Sequence, residues 1–309
     1  MKEFQWVCFF SLIVLVSSCH LLPNADKKYS DDNASYKLHL NPAKGSVYHY
    51  DITNETETKM EVNGTEVKNI SKSNAGVSYM VNKDSSGNFI FTIKYDKLHI
   101  YTKTGDNETE ADADNGRLSM NLVDRLLAIL KDANLVATIT PLGEIKQIKG
   151  YDDLSAQLLS TLDQNDLNAR QIAQKQLDKM IGGEMIQNNL DQIFKIFPDS
   201  AVRVGDKWKI NYDQKGDLNF VVTSYFKLKD ITSEIVHLTS ESEIKSDNSP
   251  TTMMGYAVTS NLEAKYEIES KTGMLLNSKT DSEIKGTIQL QGTEIPIKIK
   301  VSVEIEGKR

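Results

Sequence analysis

Four of the five histidines in this 309-residue chain, His39, His49, His99 and His237, are scattered through its domain and are the side chains there best suited to metal or acid–base chemistry. Imidazole is the commonest metal ligand and the group whose charge changes near neutral pH. None of the four has a partner at ligand spacing, and all fall in segments that read as β, so solvated or satisfied side chains are expected. The densest carboxylates lie in Gly105–Gly116 (GDNETEADADNG), acidic at every second position through Asp106, Glu108, Glu110, Asp112 and Asp114. Asp112, Asp114 and Asn115-Gly116 look like pieces of a calcium loop. The twelve-residue spacing fails, however, and no closing glutamate follows. A solvated, charge-extended loop is expected there. No HExxH, Gly-x-Ser-x-Gly, P-loop, dinucleotide or paired-cysteine motif occurs. The sequence therefore predicts no enzyme, no cofactor and no metal.

The remaining chemistry is that of a thiol. Only two cysteines are present, Cys8 and Cys19. Val7–Val16 is an apolar run broken only by Ser11, too short for a helix of about 20 residues that spans a bilayer and of the right length for a secretion signal. Val16-Ser17-Ser18-Cys19 follows directly and resembles the bacterial lipobox. In such signals the chain is cut before the cysteine, its sulfur receives a diacylglycerol, and the new amine is often acylated, with palmitate as a usual chain. The alternative is an ordinary signal cut near Ser17 or Ser18 that leaves Cys19 as a free thiol, a liability in an oxidising compartment. Acylation gives a stable anchor, because each buried methylene contributes about 0.8 kcal/mol and two chains hold where one dissociates. Cys19 is thus the expected lipidation site and its partner the membrane lipid. Cys8 leaves with the signal, so the exported fold holds no internal disulfide.

Charge narrows the other partners. The chain has 43 acidic and 36 basic side chains, a net charge of −7 and a pI near 5.4. Without an excess of Lys and Arg, a nucleic-acid role is excluded.

The elements that follow are read from periodicity. Residues 1–18 are the signal peptide and residues 19–35 a polar, Pro23-containing flexible tether. Residues 36–309 form a single α+β domain, with a β half at 36–150, a helical segment at 151–197 and a second β half at 201–309. In the first half Phe89, Phe91, Ile93 and Tyr95 alternate with Ile90, Thr92 and Lys94, as in a strand with one buried face. Apolar stripes at helical spacing predict helices over Met120–Ala133, Tyr151–Leu162, Leu167–Ile181 and Glu184–Phe197. The last presents Ile186, Leu190, Ile193, Phe194 and Phe197 before Pro198 ends it. In the second half Ile295, Ile297, Ile299, Val301, Val303 and Ile305 mark a strand wet on its outer side, entered by a hairpin at Gly292.

Segments on the two sides of the helices also match. Gly45–Tyr50 lines up with Gly205–Ile210, Tyr79–Asp84 with Tyr225–Asp230, and Thr138–Ile145 with Glu267–Leu275. The fold expected is two antiparallel β-meander halves, a possible duplication, forming a curled sheet or open barrel with about four helices inserted centrally.

Thr140–Gly150 (TPLGEIKQIKG), Phe197-Pro198 and Val204-Gly205-Asp206-Lys207-Trp208, together with the lipobox, resemble a family of uncharacterised envelope lipoproteins of the Bacteroidetes, defined as a domain of unknown function. The resemblance spans about nine tenths of the chain and rests on turns and aromatics, so it carries no catalytic residue. It implies a lipid-anchored protein of the cell envelope, at the outer membrane facing the periplasm or the cell surface. Asp199-Ser200-Ala201 matches a short O-glycosylation sequon of that phylum. Asn-x-Ser/Thr triplets at Asn33, Asn54, Asn63, Asn69 and Asn107 would matter only in a eukaryotic secretory pathway, against which the lipobox argues. Two functions of different class remain open. One is an apolar-ligand or lipid-handling module, which needs an apolar pocket of several hundred cubic ångströms. The other is a non-catalytic, partner-binding scaffold with a filled core.

Overall fold

The computed structural model describes residues 34–62, 64–84, 86–181, 183–214, 220–246, 256–290 and 293–308. Its strands are β1 (Val47–Val62), β2 (Thr65–Lys83), β3 (Phe89–Thr104), β4 (Asn107–Asp112), β5 (Leu135–Ile139), β6 (Ile145–Lys149), β7 (Lys207–Gln214), β8 (Phe220–Ile231), β9 (Ile235–Ser246), β10 (Tyr256–Glu269), β11 (Leu275–Leu290) and β12 (Thr293–Lys308). The helices are α1 (Leu122–Lys131), α2 (Tyr151–Ser160), α3 (Leu167–Ile181) and α4 (Gly183–Phe194).

All twelve strands belong to one antiparallel sheet in the order β6-β5-β3-β2-β1-β12-β11-β10-β9-β8-β7, with β4 paired to β3 off this path. This corrects the expected α+β architecture of two meander halves. The first and last long strands pair with each other, from His49↔Lys308 to Met60↔Ile297, so no boundary separates the halves. The protein is mostly β, the sheet is not closed, and α1 lies inside the first run of strands rather than with the central helices. The reason is edge chemistry. Two separate meanders would leave the 16-residue edges of β1 and β12 with unpaired backbone groups, and pairing them removes that liability.

The acidic segment is likewise not a loop. Residues 107–112 pair with β3 from Thr104↔Asn107 to His99↔Asp112, and Ala113–Asn115 form a 3-10 turn. Acids at every second position are themselves the period of a strand. Between them Ala111 is buried, and the cross-strand pairs Lys103–Glu108 (2.5 Å) and His99–Glu110 (2.6 Å) answer the carboxylates.

The edges β6 and β7 do not pair with each other, and α4 contacts both. On the β7 side the indole of Trp208 donates to Ile196 O (3.0 Å), and the Tyr212 hydroxyl donates to Lys195 O (2.7 Å). On the other side Gly143, in the β5–β6 turn at φ +85°, lies directly beneath the last turn of α4. The chain entering the domain ties the bottom together. Tyr36 forms a two-way bridge with Val202, the Leu40 amide donates to Pro141 O, and the Asn41 amide donates to Thr272 O. Phe91, Phe194 and Phe226 are the largest fully buried side chains of the core.

Candidate functional site: a cavity under helices α1 and α4

The inward face of the sheet starts as an aromatic floor. Tyr79 meets Tyr50 and Phe194 edge to face, each at 5.6 Å between ring centres, and Phe91 and Phe194 lie 5.0 Å apart. Further along the strands the same face turns polar. Asn54, Thr56 and Thr58 on β1, Asn69 on β2, Thr102 on β3, Ser224 and Ser242 on β8 and β9, and Ser278 and Thr280 on β11 are all buried. Some of these hydroxyls and amides pair, as Ser224–Ser242 (2.7 Å) and Asn69 Nδ2 to Thr104 Oγ1 (2.7 Å) do.

Between these two zones, under α1 and α4, lies a cavity of about 190 Å³. Much of its wall is aliphatic, from Leu127 and Leu130 on α1, Ile186, Leu190 and Ile193 on α4, and Val303 and Ile305 on β12, while Asn54, Asn74, Asn189, Gln192 and Ser278 add polar groups. A bulge in β3 builds one side. The register of β2 and β3 shifts between Gly76 and Val77, leaving Asp96 unmatched, so Tyr95 and Leu98 both line the cavity. Burial alone pushes the Tyr95 hydroxyl up to about 12, and Tyr79 is raised well above the usual tyrosine range, again mainly by burial. Both phenols are therefore neutral at physiological pH. No Lys, Arg, Asp or Glu lines the cavity. Buried polar groups without hydrogen-bond partners among the described residues include Asn189 Oδ1, on the wall, and Thr280 Oγ1, two residues along β11 from the lining Ser278.

The periodicity of α4 foretold Ile186, Leu190 and Ile193 as core residues, and they form the cavity wall. It passed over Asn189, which sits three residues after Ile186 on the same stripe; an amide on an apolar helical face was the available signal.

The lipidation site Cys19 lies outside the described residues, as do the signal, most of the tether, Asn33 and Asn63. Asn54 and Asn69 are buried and offer no room for a glycan, whereas Asn107 is exposed at the start of β4. Ser200 is exposed in the turn after α4. The histidines are occupied locally. His237 Nδ1 is 2.7 Å from Asp230 and its Nε2 is 3.7 Å from Glu267, while His39 Nδ1 lies 3.0 Å from Lys37 O. His49 Nδ1 is 2.8 Å from Ser78 Oγ, and that hydroxyl donates to Asp96 at 2.5 Å. The order is wrong for nucleophile activation, since the serine proton is held by the aspartate instead of being passed to the histidine. Among the described residues no cluster of three His, Cys, Asp or Glu could hold a metal, and no helix is long and apolar enough to cross a membrane.

Among solved structures, lipovitellin ("lipid-protein interactions in lipovitellin") aligns with 86% of this chain at 8% identity and a TM-score of 0.53; this chain spans about a quarter (25%) of it. The likeness is one of fold. The translocator domain of the autotransporter NalP from Neisseria meningitidis aligns over 86% of this chain and 90% of its own at 5% identity and a TM-score of 0.21. A domain assigned as an outer membrane lipoprotein-sorting protein from Vibrio parahaemolyticus aligns over 84% of this chain and 83% of its own at 8% identity and a TM-score of 0.14. Neither of these two scores supports a shared fold. No curated protein matches the chain. The profile of the family of unknown function DUF6263 matches residues 86–275, which include the β3 bulge and both helices over the cavity, and the chain belongs to that family.

Proposed function

We propose that this protein is a non-enzymatic bacterial envelope lipoprotein, anchored through acylated Cys19, whose domain takes up an apolar ligand between the sheet and helices α1 and α4. One observation carries the reading: a cavity with largely apolar walls and no Lys, Arg, Asp or Glu in its lining, in a core that otherwise packs its largest aromatics fully. Well-packed interiors hold few voids larger than a water molecule, so an apolar void of this size is a candidate site. The fold likeness to lipovitellin, whose description concerns lipid–protein interactions, is compatible with it.

A second reading, a partner-binding scaffold, is favoured by the volume. About 190 Å³ is well below the 300–1,000 Å³ of typical ligand pockets. It exceeds the roughly 150 Å³ apolar cavity that admits benzene, so the ligand of the first reading is one short hydrocarbon segment. Native mass spectrometry of protein extracted from its own membranes separates the two. A co-purifying small apolar adduct, displaced in Leu190→Trp, supports uptake; an adduct-free mass together with a cross-linked protein partner supports the scaffold. Fractionation tests the anchor: Cys19→Ala is expected to release the chain from membranes, and full retention would refute acylation.

A further inference from the structure

We infer that the ligand of this cavity is an uncharged amphiphile: one short hydrocarbon segment ending in a hydroxyl or amide that donates a hydrogen bond to Asn189 Oδ1. The inference rests on the uptake reading above and names its substrate class.

The lining divides by chemistry. Leu127, Leu130, Leu190 and Ile193 offer only dispersion and exclusion of water. Of the amides in the lining, Asn54 Oδ1 accepts from Thr56 and Asn74 Oδ1 from Thr53, whereas Asn189 Oδ1, on α4, is buried and without a partner among the described residues. A buried acceptor left unpaired keeps its full desolvation penalty, so a helix that needed only packing would carry an aliphatic residue here. The amide oxygen selects for a donor. Across the cavity, Ser278 and the neutral Tyr95 phenol supply further hydroxyl groups.

The same lining selects against charge. A carboxylate or ammonium drawn between the helices and the sheet would lose its hydration and meet no counter-ion, because no Lys, Arg, Asp or Glu lines the cavity. His99 borders it, but its Nε2 is engaged by Glu110 on β4 at 2.6 Å. Free fatty acids and phosphate-bearing heads are therefore disfavoured, while fatty alcohols, acylglycerol-type heads and primary amides fit.

The test uses the exported chain with Cys19→Ser, purified without detergent, and isothermal titration of three probes of equal chain length: 1-octanol, octanoate and octylammonium. The alcohol is expected to bind about tenfold more tightly than either ion, and in Asn189→Leu this preference falls to near unity. Equal or tighter binding of either ion overturns the inference while leaving the site reading intact. So does an Asn189→Leu chain of unchanged far-ultraviolet circular dichroism that keeps the full preference. If no probe binds, the site reading itself fails, and the headgroup inference with it. The wild-type comparison of the three probes does not depend on any variant folding.

Discussion

The carbonyl oxygen of Phe194 occupies the space that a side chain on Gly143 would need: a β-carbon built on that glycine falls 1.7 Å from the oxygen. Gly143 is thus where the β5–β6 turn receives the end of α4, the helix that contacts both sheet edges and walls the cavity.

Gly143→Ala should displace α4 and destabilise the fold by about 3 kcal/mol or more, since the positive φ and the backbone clash add. Gly45 provides the control. Its φ is +86°, yet a β-carbon there meets nothing within 4 Å. Gly45→Ala should cost only the conformational strain, about 1–2 kcal/mol. Urea midpoints of the two variants check the difference; equal losses would show that α4 does not depend on the close approach.

Asp124 organises the segment between β4 and α1. Its buried carboxylate accepts from the Asp112 amide (2.8 Å), Asn115 Nδ2 (3.0 Å) and Ser119 Oγ (2.7 Å). Asp124→Ala leaves all three donors without their acceptor and should destabilise by about 2–4 kcal/mol. The local readout is hydrogen exchange. The Asp112 amide should exchange faster in the variant by more than global destabilisation accounts for, and an unchanged local rate would remove Asp124 from this role.

Much of the helix layer was legible because amphipathic stripes are local. Leu167–Ile181 is helical over the residues its periodicity marked, and Leu122–Lys131 falls within the marked Met120–Ala133. The sheet was legible strand by strand but not as a whole. The β1–β12 ladder joins residues more than 230 apart, and nothing in either strand's own alternation names its partner. The likeness between Tyr79 and Tyr225 shows how register misleads. Gly45 N–H donates to Val81 O and Gly205 N–H to Leu228 O, so the equivalent turns make Phe226, not Tyr225, the counterpart of Tyr79. Tyr79 and Phe226 are buried and Tyr225 is exposed, the change of face that a one-residue slip produces. The cavity depends on an extra residue, Asp96, and on Asn189, an amide in an apolar stripe, features that break the periodic patterns used to find core positions.

Thr280 is fully buried on β11 between Ala264 and Val303, and its hydroxyl lacks a partner among the described residues. Thr280→Val is expected to stabilise the free protein by up to about 1 kcal/mol, because an unpaired polar atom is replaced by a methyl group of similar size. Ser224 is the contrast. Its hydroxyl pairs with Ser242 at 2.7 Å, and Ser224→Ala should destabilise by about 1 kcal/mol or more by stranding that partner. Thermal midpoints that moved in the same direction for both variants would show that pairing of these buried hydroxyls does not govern their contribution.

Asp191, on α4 two residues beyond Asn189, is half-buried, and its carboxyl is raised above the ordinary 3.8 mainly by burial, which the charge of Lys195 and a hydrogen bond from Gln187 only partly offset. A carboxyl raised in the folded state holds its proton more tightly there than in the unfolded chain. Its ionisation therefore lowers stability as pH rises through the folded value, and that loss is fully present at pH 7. As pH falls through the same window the loss is recovered, completely below the unfolded value of 3.8. Asp191→Asn keeps an acceptor for Gln187 but cannot ionise. The variant should be the more stable protein at pH 7, and the two stability curves should converge as the pH approaches 4. Urea unfolding of both chains at several pH values between 4 and 8 measures this. A difference that stayed constant over that range, or favoured the wild type at pH 7, would show that burial of this carboxylate does not set the stability of α4 on the sheet.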